Sequence, residues 1–311
     1  MTETRSWGLT SAGVFFAVVV LAMLASASLR AEVLGPDLPI FLAGWGVEVA
    51  GAVMAFALVR WFGDRDGLDL RIRLAMEEHP VGRELGLLFG FLGGFIVLMV
   101  LLSGIFSLLS GEIGADLRMS AAMVSRLLFM FALPLLFMDR AGYTVSGPGF
   151  AMASLAVAVR EPWRWLGLIP VVFFVGVLGA AAMPTYGLMG LSLAALGLVL
   201  AFALIAVCEE IFFRGMVQTR LELVMGRWGG IFATAGIYSL SYALTQPYDI
   251  VGQFSRTDPV YDVGLALCIY GSVALFHGCL WTCYRNIWLN VFVHLCGMLI
   301  LLRPEVTSPL F

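Results

Sequence analysis

Nine stretches of this chain are apolar over close to the ~20 residues that a helix needs to cross the hydrocarbon of a bilayer. They run over 9–29, 38–62, 85–110, 120–138, 165–183, 188–213, 229–246, 262–283 and 286–302. No other feature constrains the fold as strongly. Hydrocarbon offers no hydrogen bonds, so a spanning backbone must satisfy itself, and for runs of this length that means helices. The expected architecture is all-α, a polytopic membrane helical bundle of about nine transmembrane helices, with eight as the competing count. The 311 residues are 61% apolar and 13% charged, with mean hydropathy +0.96, which excludes an ordinary soluble domain. A net charge of −3 gives no footprint for a nucleic-acid partner. The lipid bilayer is the partner the composition demands. The first apolar run is followed by many others, so it reads as a span and not as a cleaved signal.

Arginine sets the expected orientation. With the N-terminus inside, thirteen arginines fall on the cytoplasmic side and four outside, a positive-inside bias. Every one of the 18 basic residues is Arg, which by codon usage points to a GC-rich bacterial genome and hence to a bacterial inner (plasma) membrane. The chain divides into an N-terminal four-helix membrane region (1–140), a linker with an interfacial helix over 150–159 (141–164), and a core of about five helices (165–303). In the first region Glu48 and Arg126 are the polar outliers and are candidates to pair across the bundle. Gly82, Gly86, Gly90 and Gly94 recur every four residues, the pattern of a close-packing helix face. His79, beside Glu77 and Glu78, reads as solvated surface, and the five cysteines as small apolar residues in apolar segments.

Two adjacent glutamates interrupt the sixth run, in Cys208-Glu209-Glu210-Ile211-Phe212-Phe213-Arg214-Gly215. The preceding 187–207 carry no charge. A carboxylate in hydrocarbon costs about 2.5–3.5 kcal/mol on insertion scales, so it persists where it is paired or does chemistry. Glu210 and Arg214 are four apart and share a helix face, so they form an ion pair. Glu209 points about 100° away and faces something else. The plain alternative is that all three cap a membrane helix at the water boundary.

Three further polar sites follow. Tyr238, Tyr242 and Gln246 form a stripe on the seventh run. His277 lies in the eighth. Asn290 and His294 share a face of the ninth, where Asn290 is placed to orient the imidazole. Reckoned at 1.5 Å per residue from the nearest helix end, Glu209 and His294 both lie about 12 Å deep and can meet, whereas Tyr242 lies about 20 Å deep. A zinc site needs three or four ligands. Glu209 and His294 are too few unless His277 joins them, so no metal and no cofactor is expected.

These residues resemble the motifs of the CPBP (CAAX protease and bacteriocin-processing, or Abi) intramembrane endopeptidases, whose pattern is EExxxR, then FxxxH, then HxxxN or HxxxD. The resemblance spans roughly 165–303. It implies that Glu209 is the general base that activates water, that Glu210 and Arg214 are a structural pair, and that His294 polarises the scissile carbonyl or stabilises the oxyanion. The chain departs from the pattern twice. Tyr242 stands at the histidine of the second motif, with Tyr238 at its phenylalanine, and Met298 stands at the Asn or Asp of the third. Asn290, one turn earlier on the same face, is the substitute the chain offers.

The resemblance implies an enzyme, a CPBP-type intramembrane protease. It would cut a membrane-associated or leader-type protein or peptide substrate near the cytoplasmic face by glutamate-activated water. The alternative is a catalytically inactive relative acting as a scaffold or an immunity or maturation factor. A transporter is disfavoured, because the sequence shows no internal repeat and no pair of broken helices.

Overall fold

The computed structural model describes residues 2–77, 79–108, 121–138, 159–186, 193–245 and 258–301. The interfacial helix expected over 150–159 and the Gln246 end of the tyrosine stripe lie outside them, save for Val159. All regular structure among the described residues is helical. The elements are α1 (Thr2–Ala25), α2 (Ala27–Val33), α3 (Leu38–Phe62), α4 (Arg65–Ala75), α5 (Val81–Ser107) and α6 (Ala121–Phe137). They are followed by α7 (Leu168–Tyr186), α8 (Leu193–Glu210), α9 (Thr219–Thr245), α10 (Pro259–Tyr284) and α11 (Ile287–Leu301). The described part of each of the nine apolar stretches is mainly helical. Six helical stretches are long and apolar enough to span a bilayer, and α6 and α11 are shorter apolar helices. The chain is a polytopic helical membrane protein.

Burial shows which helices form the centre. The apolar window of α10 is 67% buried, against 17% for α1. Val14, Phe16, Leu21 and Leu24 of α1, and Ile40, Val49 and Val53 of α3, are exposed large hydrophobics. A surface of that kind is stable against lipid tails and costly in water. The N-terminal helices wrap the C-terminal ones. α1 lies along α9, α3 along α10 and α7, α5 along α9, and the π-helical turn of α6 against α8. Phe15 and Phe16 meet Phe232, and Phe174 of α7 stacks on Phe276 of α10 at 5.0 Å.

α8 does not end at the glutamates. A π-helical stretch, Ile211–Gln218, carries it directly into α9. The reversal comes later, at Gly226, whose φ of 77° and ψ of 171° suit glycine alone. The two arms on either side of Gly226 are antiparallel neighbours. At the same end of the bundle, Arg227 pairs with Asp69 (3.2 Å), Arg220 with Glu84 (2.7 Å), and Arg71 with Glu161. Burial alone would raise the Glu161 carboxyl, but hydrogen bonds from Arg71 and Arg164 more than offset it and hold the group below its ordinary range. His79 is not a solvated surface residue. Its Nδ1 lies 2.9 Å from Glu84, and the side chain is mostly covered.

The glycine stripe packs differently from expectation. A Cβ at Gly82, Gly86 or Gly90 meets open space, whereas one at Gly94 would reach 2.5 Å from the Phe129 ring of α6. Among the described residues, only the last position of the repeat faces a neighbouring helix. Gly94→Leu is therefore expected to lower stability by about 1–3 kcal/mol, the range for overpacking. Gly86→Leu should lie within ~0.5 kcal/mol of wild type. Equal losses in a thermal melt of the detergent-solubilised protein would remove this packing assignment.

Candidate functional site

Glu209 and Glu210 are neighbours in sequence, but their carboxylates face opposite walls of the bundle. Both are buried, at 0% and 1% exposure. Glu209 turns toward α6 and α9. It accepts a hydrogen bond and ion pair from Nε of Arg126, 3.1 Å from the Tyr238 hydroxyl, and 2.8 Å from the Tyr242 hydroxyl. Glu210 turns toward α10 and α11. One oxygen lies 3.3 Å from Arg214 Nε, and the other lies 3.0 Å from His277 Nδ1 and 2.9 Å from His294 Nδ1. The His294 ring joins the two halves, because its Nε2 stands 3.7 Å from the nearer oxygen of Glu209.

The helix register explains this split. Consecutive side chains on a helix are about 100° apart, so a Glu-Glu pair on a central helix addresses two neighbours. Charges balance within the cluster, with two carboxylates against Arg126 and Arg214. A balanced, hydrogen-bonded set is the condition under which charges survive burial. The aromatic walls add to it. Tyr242 stacks on Tyr238 at 4.8 Å and on Tyr270 at 4.3 Å, and the Arg126 guanidinium lies over the rings of Phe95 (5.2 Å) and Tyr242 (5.9 Å). Such cation–π contacts strengthen as water is excluded.

Several sequence expectations need correcting here. Arg126 pairs with Glu209 and not with Glu48. The sixth helix does not emerge near Val217, where the expected depth of Glu209, about 12 Å, was counted from, so Glu209 lies deeper and level with Tyr242. Measured from the true reversal at Gly226, Glu209 lies 17 residues before it and Tyr242 16 after. At 1.5 Å per residue both sit about 24–26 Å in, which is why they meet. Asn290 does not orient His294. Its Nδ2 donates to the backbone carbonyl of His277 at 3.2 Å and so ties α11 to α10. His277 looked partnerless in the sequence, yet it faces Glu210 directly. Met298 lies in the apolar core and supplies no polar group.

The polar ladder that begins at Glu210 continues past Arg214. Glu210, Arg214, Gln218 and Glu222 recur every four residues. Arg214 Nη1 donates to Gln218 (3.4 Å), and Gln218 Nε2 donates to Glu222 (2.7 Å) and to the hydroxyl of Thr282 (3.1 Å). Glu222 in turn binds Arg285. The i, i+4 spacing that exposed the first pair also exposes the other two members. The ladder ends at a cavity of about 730 Å³ at the charged end of the bundle, lined by Thr219, Glu222, Arg227, Arg285 and Asp69, among others. A continuous polar path thus joins the buried carboxylates to that cavity.

Comparison with known proteins places this region. Residues 191–299 match the family model described as type II CAAX prenyl endopeptidase, Rce1-like. The matched segment contains Glu209, Glu210, Tyr238, Tyr242, His277 and His294, while Arg126 lies outside it. No curated protein and no solved structure matches the chain.

Proposed function

We propose that this integral membrane protein, whose residues 191–299 match the type II CAAX prenyl endopeptidase, Rce1-like family model, hydrolyses a peptide bond of a membrane-anchored or leader-type protein. The observation that carries this reading is the convergence of Glu209, Tyr242 and His294 on one buried point, from three helices. The charged end of the bundle, with its cavity, is the cytoplasmic side, in keeping with the arginine bias. Substrate enters there.

In this reading Glu209 takes the proton of the attacking water. A carboxylate offers about four lone-pair positions. Arg126, Tyr238 and Tyr242 donate to it, Tyr242 to both oxygens, so the proton of the water displaces one of these bonds. Tyr242 is a poor base at neutral pH, since a phenol ionises near 10. Its hydroxyl donates a hydrogen bond and positions, while the basic work stays with Glu209. His294, held through Nδ1 by Glu210, presents Nε2 to the carbonyl oxygen where negative charge develops. Glu210 and Arg214 fix that imidazole and do not themselves react.

New protein termini in membranes of cells carrying wild type or Glu209→Gln test the reading. Termini produced only by the wild type support it, and their sequences name the substrate. Prenylated and unprenylated CAAX reporters form a directed panel beside that survey. Identical terminus sets from both strains would leave the peptidase reading without support.

A second reading is favoured by one specific contact, the ion pair of Arg126 with Glu209. It makes the chain a catalytically silent relative that binds membrane proteins without cutting them. Tyr242→His separates the two. If the tyrosine is an adapted part of a working site, the exchange should lower cleavage by about 10²-fold, the scale of a ~1 Å misplacement of a positioning group. A gain of activity would mark a site that has decayed from histidine.

A further inference from the structure

We propose that the cavity at the charged end of the bundle binds one anionic phospholipid, with the phosphate among Arg73, Arg227 and Arg285 and an acyl chain along Leu9, Trp228 and Phe232. The cavity holds about 730 Å³ and is walled by α1, α4, α9 and the turn between α10 and α11. That volume lies within the ~300–1,000 Å³ typical of small-ligand pockets. Its lining is of two kinds. On the polar wall three arginines stand against two carboxylates, Asp69 and Glu222, which leaves a positive surplus. The apolar wall is built by Leu9 of α1 with Trp228 and Phe232 of α9.

The two carboxylates do not satisfy this wall. Glu222 is shared by Arg285, Gln218 and Thr282. Asp69 lies 3.2 Å from Arg227 and also faces Arg65 at 3.9 Å. Arg73 is exposed, and its side chain makes no ion pair among the described residues. Arg285 is 4% exposed, and its buried Nε has no hydrogen-bond partner among them. Its backbone is left-handed, with φ 46° and ψ 32°, at the end of α10, where glycine is the usual residue. A buried donor left unmade is costly, so a guanidinium held this way fits a ligand rich in oxygen acceptors. A phosphate brings both the acceptors and the negative charge, in a geometry that arginine matches.

The apolar wall decides which phosphate. Leu9 is 74% exposed and Trp228 is 48% exposed, so this wall runs out onto the surface that faces lipid. A free phosphate leaves the wall in water, whereas an acyl chain covers it. Trp228 has the place an indole favours, between head groups and hydrocarbon. In the orientation that the arginine bias gives, this end meets the cytoplasmic leaflet, whose anionic lipids are drawn to basic pockets between helices. A peptide arriving from the water gains little from a wall that opens to hydrocarbon. The inference does not rest on the peptidase reading, since a lipid can be held here whether or not a peptide is cut.

The test uses the full-length protein in lipid-depleted micelles, with phosphatidylglycerol or phosphatidylcholine of the same acyl chains titrated in. Native mass spectrometry counts bound lipid, and thermal melts follow stability. One phosphatidylglycerol per chain, bound about tenfold tighter than phosphatidylcholine and raising Tm by several degrees, supports the site. Arg73→Gln breaks no ion pair within the protein. It is expected to weaken phosphatidylglycerol binding about fivefold, the ~1 kcal/mol that one arginine contributes toward an anionic head group. Arg60 is exposed and does not line the cavity, so Arg60→Gln should leave binding unchanged. The two-lipid comparison on the wild type decides the matter should a variant not fold. Inorganic phosphate and glycerol 3-phosphate separate a free anion from a lipid, and a shift by either that equals that of phosphatidylglycerol would overturn the lipid assignment. So would equal responses to the two lipids, or equal losses in Arg73→Gln and Arg60→Gln. Protection by an acidic peptide where phosphatidylglycerol gives none would transfer the cavity to peptide and sink the proposal.

Discussion

Removing either partner of the Arg126–Glu209 pair is expected to destabilise the protein by about 3–5 kcal/mol, the cost of leaving one buried charge uncompensated. Arg126→Met leaves Glu209 as an anion in apolar surroundings at 0% exposure, and Glu209→Gln leaves the guanidinium in the same position. The double variant, Arg126→Met with Glu209→Gln, removes both charges. It keeps an amide oxygen to accept from Tyr238 and Tyr242. Its loss should be well below the sum of the two single losses, giving an interaction energy of about 2–3 kcal/mol. Arg126 also donates to the Ala122 carbonyl at 3.1 Å and lies over Phe95, so the double variant will not recover fully. Unfolding in mixed micelles, read by tryptophan fluorescence, measures all four corners of the cycle. Simple additivity, or single losses under ~1 kcal/mol, would show that the pair is not a unit.

That ion pair also marks the boundary of what the sequence could reveal. The spans were legible because apolar run length is set by bilayer thickness and needs no tertiary knowledge. Glu210–Arg214 was legible because i, i+4 spacing is local. The partner of Arg126 was not, because the choice between Glu48 and Glu209 depends on α6 lying against α8 and not against α3. The register of Tyr242 depended on one residue, Gly226, that moves the reversal several residues beyond where the apolar run weakens. Asn290 shares a face with His294, but the neighbouring α10 captured its amide first. Gln218 and Glu222 continue the same i, i+4 series and are legible on the same local ground. His277 carried a signal of its own, a histidine in an otherwise apolar span, though only the packing of α8 and α10 shows what it faces.

Glu209→Gln is expected to lower peptide cleavage by ~10²–10⁴-fold, the contribution of a positioned general base. Glutamine keeps the size and the acceptor oxygen of the side chain, so Tyr238 and Tyr242 retain a partner, but an amide cannot take a proton from water at neutral pH. The assay uses the substrate found by the terminus survey, made as a quenched fluorescent reporter and placed with the protein in vesicles. Because the same substitution strands Arg126, loss of folded protein must be separated from loss of chemistry. The Arg126→Met, Glu209→Gln double variant provides the separation, since it recovers stability while still lacking a base. If Glu209 is the base, the double variant folds and remains inactive. Cleavage by the double variant within a few-fold of wild type would transfer the role elsewhere, with Glu210 and the two histidines beside it next in line. Inactivity of the single variant alone, with activity regained in the double, would make Glu209 a structural counter-ion.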